Sequence, residues 1–156
     1  MKRTKKEWLN YIAAFFDGEG SATIRILKKD KLRIYYKFDP SISMVQKTED
    51  VLLQIKGILG FGKIYKGNNN CYRYQISNHK DILKFIKLTI PYSIVKPIHL
   101  SLIKKLILFK ETKTRNCPYI KKELDIMLKI RDELHKLNGG KIKYTTKHIL
   151  RKLNCK

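Results

Sequence analysis

Two acidic residues and two glycines alternate within four positions near the start of the chain. Asp17-Gly18-Glu19-Gly20 follows an apolar run at positions 11–16, Tyr-Ile-Ala-Ala-Phe-Phe. Carboxylate oxygens are the ligands that Mg²⁺ and Ca²⁺ prefer in proteins. The pattern therefore predicts a site for a hard divalent cation at the point where the apolar run ends.

A helix is expected to position these acids. Thr4 and Glu7 have the spacing of a capping box, in which each side chain binds a backbone N–H at the helix start. We predict a helix from about Lys5 to Asp17, ended by the glycines at 18 and 20. A carboxylate at a helix C-terminus faces the negative end of the helix dipole, so two acids there indicate a compensating cation.

Small residues in the same helix indicate a contact with a second backbone. Ala14 and Gly18 lie four positions apart and therefore on one helix face, and Ala13 is their neighbour. The run is too short to span a bilayer. The alternative is an ordinary amphipathic core helix with an acidic last turn.

The segment Ile12–Gly20, Ile-Ala-Ala-Phe-Phe-Asp-Gly-Glu-Gly, resembles the LAGLIDADG signature of homing endonucleases, with Glu19 at its second acidic position. The motif occurs once, and the chain length is similar to that of the single-motif, homodimeric branch. The resemblance extends from about Trp8 to Leu153. It implies a site-specific DNA endonuclease that takes part in intron homing.

The charge balance points to a polyanionic partner. The 156 residues, which we predict to form one domain over 1–156, include 35 Lys+Arg against 13 Asp+Glu, a net charge of +22. Such an excess causes strong self-repulsion unless a polyanion neutralises it, so nucleic acid is the leading partner. A ribosomal-type protein and a membrane-surface binder are alternatives, but basic residues spread along the whole chain argue against one lipid-binding tail.

Cysteine and histidine usage suggests neither disulfides nor a zinc site. The three cysteines (71, 117 and 155) lack CxxC pairing, and the four histidines (79, 99, 135 and 148) lack metal-ligand spacing. We therefore expect a reducing, intracellular location. No apolar run approaches 18 residues, so no membrane association is expected. The Lys-, Ile-, Asn- and Tyr-rich usage is typical of AT-rich genomes, including those of chloroplasts and mitochondria.

Periodicity predicts an α+β fold with an αββαββα core. Two hairpins are expected, the first over 21–28 and 32–46 and the second over 62–66 and 71–77. Helices are expected at 47–58, 81–88, 98–109 and 123–137, with a short final helix over about 145–153. Antiparallel strands of this kind pack one face on helices, so we predict a four-stranded sheet backed by helices, with extra C-terminal helices.

The second strand alternates between apolar and polar residues, which leaves one polar face of the sheet for solvent or a ligand. A curved polar ribbon can enter the major groove of duplex DNA, where arginine reads guanine and glutamine reads adenine. An ordinary solvated sheet face is the alternative. The expected DNA-binding residues are Arg25, Lys37, Ser41, Ser43, Tyr65, Arg73 and Gln75.

The resemblance implies a catalytic set of Glu19, Gln46 and Lys96. Glu19 would hold the metal together with the carbonyl of Gly18, Gln46 would orient a water molecule, and Lys96 would stabilise charge near the scissile phosphate. The implied cofactor is Mg²⁺, with Mn²⁺ as a substitute and Ca²⁺ supporting binding only. Relatives often carry a further polar or basic residue just after the glutamine; here Lys47 and Asp50 lie there, and Asp50 departs from the basic type, so that role is left open.

The resemblance also implies a homodimer on double-stranded DNA. Its interface would use Ala13, Ala14, Asp17 and Gly18, with Asp17 stabilising the helix end and the interface instead of binding metal. A two-fold protein implies a roughly palindromic target. The resemblance implies that this target is long and that the double-strand cut is staggered. The rivals are a non-cleaving maturase that binds intron RNA, a DNA-binding regulator on the same scaffold and, more distantly, a ribosomal-type RNA-binding protein.

Overall fold

The computed structural model describes residues 3–28, 36–67, 69–113 and 119–139, together with positions 146 and 149. The elements in this part of the chain follow in the order α1 (Lys5–Glu19), β1 (Gly20–Lys28), β2 (Tyr36–Gln46), α2 (Asp50–Leu59), β3 (Lys63–Lys66), β4 (Tyr72–Ile76), α3 (His79–Thr89), α4 (Pro97–Glu111) and α5 (Lys121–Leu137).

This order confirms the predicted α+β fold and its αββαββα core. The four strands form one antiparallel sheet in the order β1-β2-β4-β3. The helices pack against the apolar face of that sheet, and one continuous core runs from Ile12 to Ile149. The predicted final helix lies mostly outside the described residues, and so do Cys117 and Cys155.

The strand register separates the two faces as the alternation predicts. Phe38, Ile42 and Met44 of β2 are fully buried in the core. Pro40 pairs with Ile24 of β1, whereas pairing of β2 with β4 begins only at Ile42. Proline, which cannot donate to a ladder, therefore sits where β2 has a neighbour on one side only.

The start of α1 forms as predicted, but its end differs. The Thr4 side chain accepts from the Glu7 N–H, and Glu7 accepts from the Thr4 N–H at 2.6 Å. Gly18 does not end the helix, which continues to Glu19. Gly20 ends it in an extended conformation (φ −86°) because this residue already pairs with Met44 in the sheet.

Gly20 allows this abrupt change from helix to strand because it has no side chain. A Cβ atom there would overlap the ring and the carbonyl oxygen of Phe16. Phe16 is fully buried and packs edge-on against Phe85 of α3, with ring centroids 5.4 Å apart. The ring therefore has little room to move aside.

The remaining helix boundaries differ from the prediction by at most three residues, and two of the starts have clear local reasons. The helix α3 begins at His79 because the Asn78 side chain accepts from the Lys80 and Asp81 N–H groups. Pro97 begins α4, a position where its missing N–H costs no hydrogen bond.

We predict that Gly20→Ala lowers the free energy of unfolding by about 1–3 kcal/mol, because the added methyl overpacks against Phe16. The matched control is Gly57→Ala in α2, where an added Cβ meets no atom within 4 Å. That change should stabilise the protein by about 0.5–1 kcal/mol. Urea unfolding measures both values, and equal midpoints for the two variants would contradict the close contact at Gly20.

Candidate functional site

The carboxylate of Asp17 joins the end of α1 to the segment that precedes α4. Its two oxygens accept four hydrogen bonds: from the hydroxyl of Ser93 (2.6 Å) and the backbone N–H groups of Ile94 (2.6 Å), Val95 (3.0 Å) and Lys96 (3.1 Å). These N–H groups stand just before the first turn of α4, where a negative charge is favourable. Asp17 thus joins the end of α1 to the segment before α4 within one chain.

The protonation state of Asp17 follows from these contacts. Partial burial acts to raise the pKa of the carboxyl, but the hydrogen bonds from Ser93 and the three backbone N–H groups outweigh burial and hold it below its ordinary value. The group is therefore ionised at neutral pH, with both oxygens engaged by the protein.

Lys96 provides the reciprocal contact. Its ammonium group donates to the carbonyl oxygens of Gly20 (2.6 Å) and Phe16 (3.3 Å), and lies 5.7 Å from the centroid of the Phe16 ring. These carbonyls lie at the negative end of the α1 dipole. The compensating cation expected there is therefore supplied in part by the protein's own lysine.

Of the two acids at the end of α1, Asp17 and Glu19, it is Glu19 whose carboxylate the described residues leave unbound. Its side chain is exposed and makes no hydrogen bond or ion pair with any residue in the described part of the chain. The carbonyl of Gly18 lies in the last turn of α1, where helical carbonyls lack an N–H partner. A carboxylate and a carbonyl oxygen are suitable donors for Mg²⁺.

Among the residues that the structure describes, no three His, Cys, Asp or Glu side chains converge to hold a metal within one chain. The donors at the end of α1 therefore fit a hard cation that also takes oxygens from water, a bound phosphate or a second chain, which is usual for Mg²⁺.

The fold brings the three expected catalytic residues to one place, around Gly20. Glu19 precedes it, Lys96 donates to its carbonyl, and Gln46 lies two residues beyond Met44, its strand partner. The Gln46 side chain is half-buried and accepts from the Lys47 N–H at 3.0 Å. Three segments distant in sequence thus meet at one end of the β1–β2 pair.

The expected DNA-binding residues all lie on the sheet face opposite the helices. Arg25, Lys37 and Tyr65 are well exposed, with side-chain or residue exposures of 57%, 49% and 47%. Asp39 pairs with both Arg25 (3.3 Å) and Lys37 (3.2 Å). One acid thereby holds two cations side by side along the strands.

Ser41 and Ser43 lie on the same face but are almost buried, at 5% and 7% exposure. Ser41 shares a hydrogen bond of 3.0 Å with Thr23, and Ser43 accepts from the guanidinium of Arg73 at 3.3 Å. The longer neighbours therefore cover the two serines. Thr23 and Arg73 present more of this part of the face than the serines do.

The expected interface residues divide between two environments. Ala14 is exposed, and a Cβ placed on Gly18 would meet no atom within 4 Å, so the backbone of α1 is open on this side. Ala13, in contrast, is fully buried in the protein's own core. Ala13 was predicted at the interface together with Ala14. Successive residues of a helix point about 100° apart, so Ala13 faces the core where Ala14 faces outward, and the prediction is corrected for Ala13.

Two residues near this site have no signal in the sequence. Ser93 donates to Asp17 from 76 positions away. His99 is buried in the first turn of α4; burial lowers its pKa, a hydrogen bond to the Leu137 carbonyl acts to raise it, and nearby Lys96 lowers it again. His99 is therefore neutral at pH 7. The contact of Ser93 appears only when the end of α1 meets the segment before α4, and the burial of His99 only when α4 packs on α5.

A sequence model described as LAGLIDADG endonuclease matches residues 12–112, and the chain belongs to this family. No curated protein was found with a significantly similar sequence.

Solved structures of homing endonucleases share the fold over nearly the whole chain. The archaeal intron-encoded I-Vdi141I, complexed with DNA, is 25% identical with a TM-score of 0.84, covering 95% of each chain. I-CvuI in complex with a DNA target is 18% identical with a TM-score of 0.82, covering 96% of this chain and 94% of that one. The group I intron-encoded I-CeuI, also complexed with DNA, is 19% identical with a TM-score of 0.76, covering 90% and 72%.

Across the described residues, no helix is both long and apolar enough to cross a membrane.

We predict that Asp17→Asn lowers the free energy of unfolding by about 2 kcal/mol at pH 7, since hydrogen bonds to a charged group contribute roughly 1.5–3 kcal/mol. The native pKa of Asp17 is depressed. Its stabilisation should therefore be complete above the unfolded pKa of about 3.9 and be lost as the pH falls through the native value.

Chemical unfolding of wild type and variant at pH 7 and at pH 2–3 tests this expectation. Asp125→Asn, which removes an ion pair with Lys129 on the surface of α5, is the control and should change stability by less than about 1 kcal/mol. An Asp17→Asn effect that is small at pH 7, or independent of pH, would show that the junction does not depend on the charge.

Proposed function

We propose that the chain is a homodimeric, metal-dependent, site-specific DNA endonuclease that makes a staggered double-strand cut in a long, roughly palindromic target. One observation carries this proposal: in the described part of the chain the Glu19 carboxylate has no protein partner, and it immediately precedes Gly20, to whose carbonyl Lys96 donates and whose strand partner lies two residues before Gln46. Asp17, two residues earlier, is fully engaged by the protein. Membership in the LAGLIDADG endonuclease family supports the same activity.

Glu19 and the carbonyl of Gly18 would hold a Mg²⁺ ion, with Mn²⁺ as a substitute. The bound ion would stabilise the negative charge that develops at the phosphate and favour deprotonation of a nucleophilic water. Gln46, at the end of β2, would orient that water through its amide. Lys96 would place a positive charge next to the scissile phosphate, from its position at the Gly20 carbonyl.

The outer face of the sheet would contact the DNA. The relatives I-Vdi141I and I-CvuI are both described in complex with DNA. Here the guanidinium groups of Arg25 and Arg73 and the amide of Gln75 would reach base edges in the major groove. Because Asp39 holds Arg25 beside Lys37, the two cations would act as a pair against one part of the duplex.

The dimer would form through the open face of α1. Ala14 and Gly18 lie one helical turn apart; Ala14 is exposed, and a Cβ on Gly18 would meet no atom of the described residues within 4 Å, so a second helix could approach there closely. A two-fold axis there would bring the two Glu19 residues near each other, one for each DNA strand.

The activity is tested by incubating the protein with a randomised duplex DNA library in Mg²⁺ and sequencing the ends produced. We expect staggered ends flanking one long, roughly palindromic sequence. The same reaction in Ca²⁺ should give binding without cutting. Binding in Ca²⁺ with no ends in Mg²⁺ would contradict the endonuclease and favour a maturase or a DNA-binding regulator.

Glu19→Gln is the control for the site. It keeps the size and polarity of the side chain but removes the charge that a metal needs, so cleavage should be abolished. Affinity for the target should stay within about tenfold, because the sheet face is unchanged. Substantial residual cleavage would remove Glu19 from the metal site.

Ala14→Leu tests the dimer face of α1. The larger side chain should keep two helices apart and convert the dimer to monomer, since close helix packing depends on small residues at the contact. Multi-angle light scattering measures the mass. Lys5→Leu, at the exposed first turn of the same helix, is the control and should leave the dimer intact. An unchanged dimer in Ala14→Leu would place the interface elsewhere.

A further inference from the structure

The strand β2 has a neighbour on one side only over its first half, at the end of the sheet far from the catalytic residues. β1 pairs with β2 from Tyr36 to Met44, whereas β4 pairs with it only from Ile42 to Gln46. Over residues 36–41, no strand in the described part of the chain lies on the β4 side. Backbone groups on such an open edge have no ladder partner, so they need partners from elsewhere in the fold.

Lys110, in the last turn of α4, supplies such a partner. Its ammonium group donates to the carbonyl oxygen of Phe38 at 2.6 Å and lies 3.4 Å from Nε2 of His79. Because His79 begins α3 just after β4, the ammonium lies on the side of β2 that β4 leaves open. The Lys110 side chain is half-buried, and lysine is seldom placed in such surroundings without a partner for its charge.

The carbonyl that Lys110 holds belongs to the peptide group between Phe38 and Asp39. Asp39 in turn forms ion pairs with Arg25 (3.3 Å) and Lys37 (3.2 Å) on the outer face of the sheet. We call Arg25, Lys37 and Asp39 the distal charge cluster. A rotation of that peptide group would move Asp39 and both of its cations, so Lys110 fixes the cluster from the helix side of the sheet.

The distal charge cluster stands well away from the candidate active site. Arg25 follows Gly20 by five residues along β1, and Lys37 pairs with Leu27, two residues further on. At about 3.3 Å per strand residue, the cluster lies about 15–25 Å from the Gly20 end of the sheet. Base pairs rise about 3.4 Å each, so the cluster would meet a duplex about five to seven base pairs away from the active site.

We propose that Lys110 is a positioning residue for sequence recognition, which holds the distal charge cluster against the outer base pairs of each half of the target. The inference rests on the DNA contact proposed above and deepens it, because it gives a recognition role to a residue on the helix side of the sheet. A contact that served stability alone would leave the base preferences of the protein unchanged.

His79 makes this support sensitive to pH. A neutral imidazole accepts from Lys110 through Nε2, whereas a protonated ring has no free acceptor and repels the ammonium group. Burial and, after it, the charge of Lys110 lower the pKa of His79. Three more charged groups face the ring: Glu111 and Asp39 act to raise its pKa, and Lys37 acts to lower it. The contact is therefore complete above the unfolded pKa of about 6.5 and is lost as the pH falls through the lower native value.

The first test is Lys110→Met, which keeps an unbranched side chain but removes the donor. A randomised duplex library is selected by binding in Ca²⁺, so the measurement does not depend on cleavage. Discrimination among bases at the outer positions of each half-site should fall about tenfold, since one well-oriented arginine contact is worth about that factor. The inner positions should keep their preferences. Urea unfolding shows whether the variant is folded.

Lys105→Met is the matched control, because it removes the same charge from the same helix at an exposed position. Both variants should weaken binding to every duplex by a similar factor, about threefold or less, through the lost charge alone. Only Lys110→Met should change the profile of base preferences.

His79→Gln provides the second test, since glutamine can accept a hydrogen bond but does not titrate. In wild type, a change from about pH 7.5 to about pH 5 should weaken the outer base preferences in the same Ca²⁺ selection. His79→Gln should keep equal preferences at both pH values. This comparison decides the inference if Lys110→Met does not fold.

Three outcomes overturn the inference. A folded Lys110→Met variant with the wild-type profile would show that Lys110 serves stability alone. Outer preferences of wild type that do not change with pH would show that the contact with His79 does not support the cluster. A wild-type chain that selects no sequence removes the inference and the proposed DNA contact together. Selection of a site in Ca²⁺ without cutting in Mg²⁺ contradicts the proposed endonuclease only, and the inference then stands.

Discussion

The structure depends on one exchange of charge between two helix ends. Asp17, at the negative end of α1, is stabilised by N–H groups at the positive end of α4, while Lys96, just before α4, donates to the Phe16 carbonyl in the last turn of α1 and to the carbonyl of Gly20, which follows the helix. Each charge alone would face an unfavourable dipole. Because each charged group instead contacts the opposite end of the other helix, both charge–dipole interactions are favourable. They join segments 79 positions apart without a covalent link.

This exchange explains why two adjacent acids have different roles. Asp17 is saturated by four donors, so it has no oxygen left for a metal. Glu19, two residues later, points to solvent with its oxygens unengaged by the described residues. A cation bound at this helix end would therefore compensate the charge of Glu19 alone.

The charge on the rest of the molecule is distributed by face. The outer face of the sheet carries Arg25, Lys37 and Arg73, and one acid, Asp39, orders two of these cations. On α1, the exposed residues Tyr11, Ala14 and Gly18 carry no charge. Since a polyanion favours the first region and a like-charged copy tolerates only the second, DNA binding and self-association would use different parts of one small protein.

Much of the fold follows from the sequence alone, because local patterns determine it. The capping box at Thr4, the alternation of β2 and the type of residue at Glu19 were sufficient for the helix, the two-faced sheet and the candidate metal ligand. The tertiary structure decided the rest. It brings Lys96 to the Gly20 carbonyl and Ser93 to Asp17. It also continues α1 through Gly18, and it buries Ala13 while Ala14 is exposed to solvent. The reason is physical. Periodicity shows which residues share a face of one element. A contact between segments that are distant in sequence depends on how complete elements pack, and a local sequence pattern carries no information about that packing.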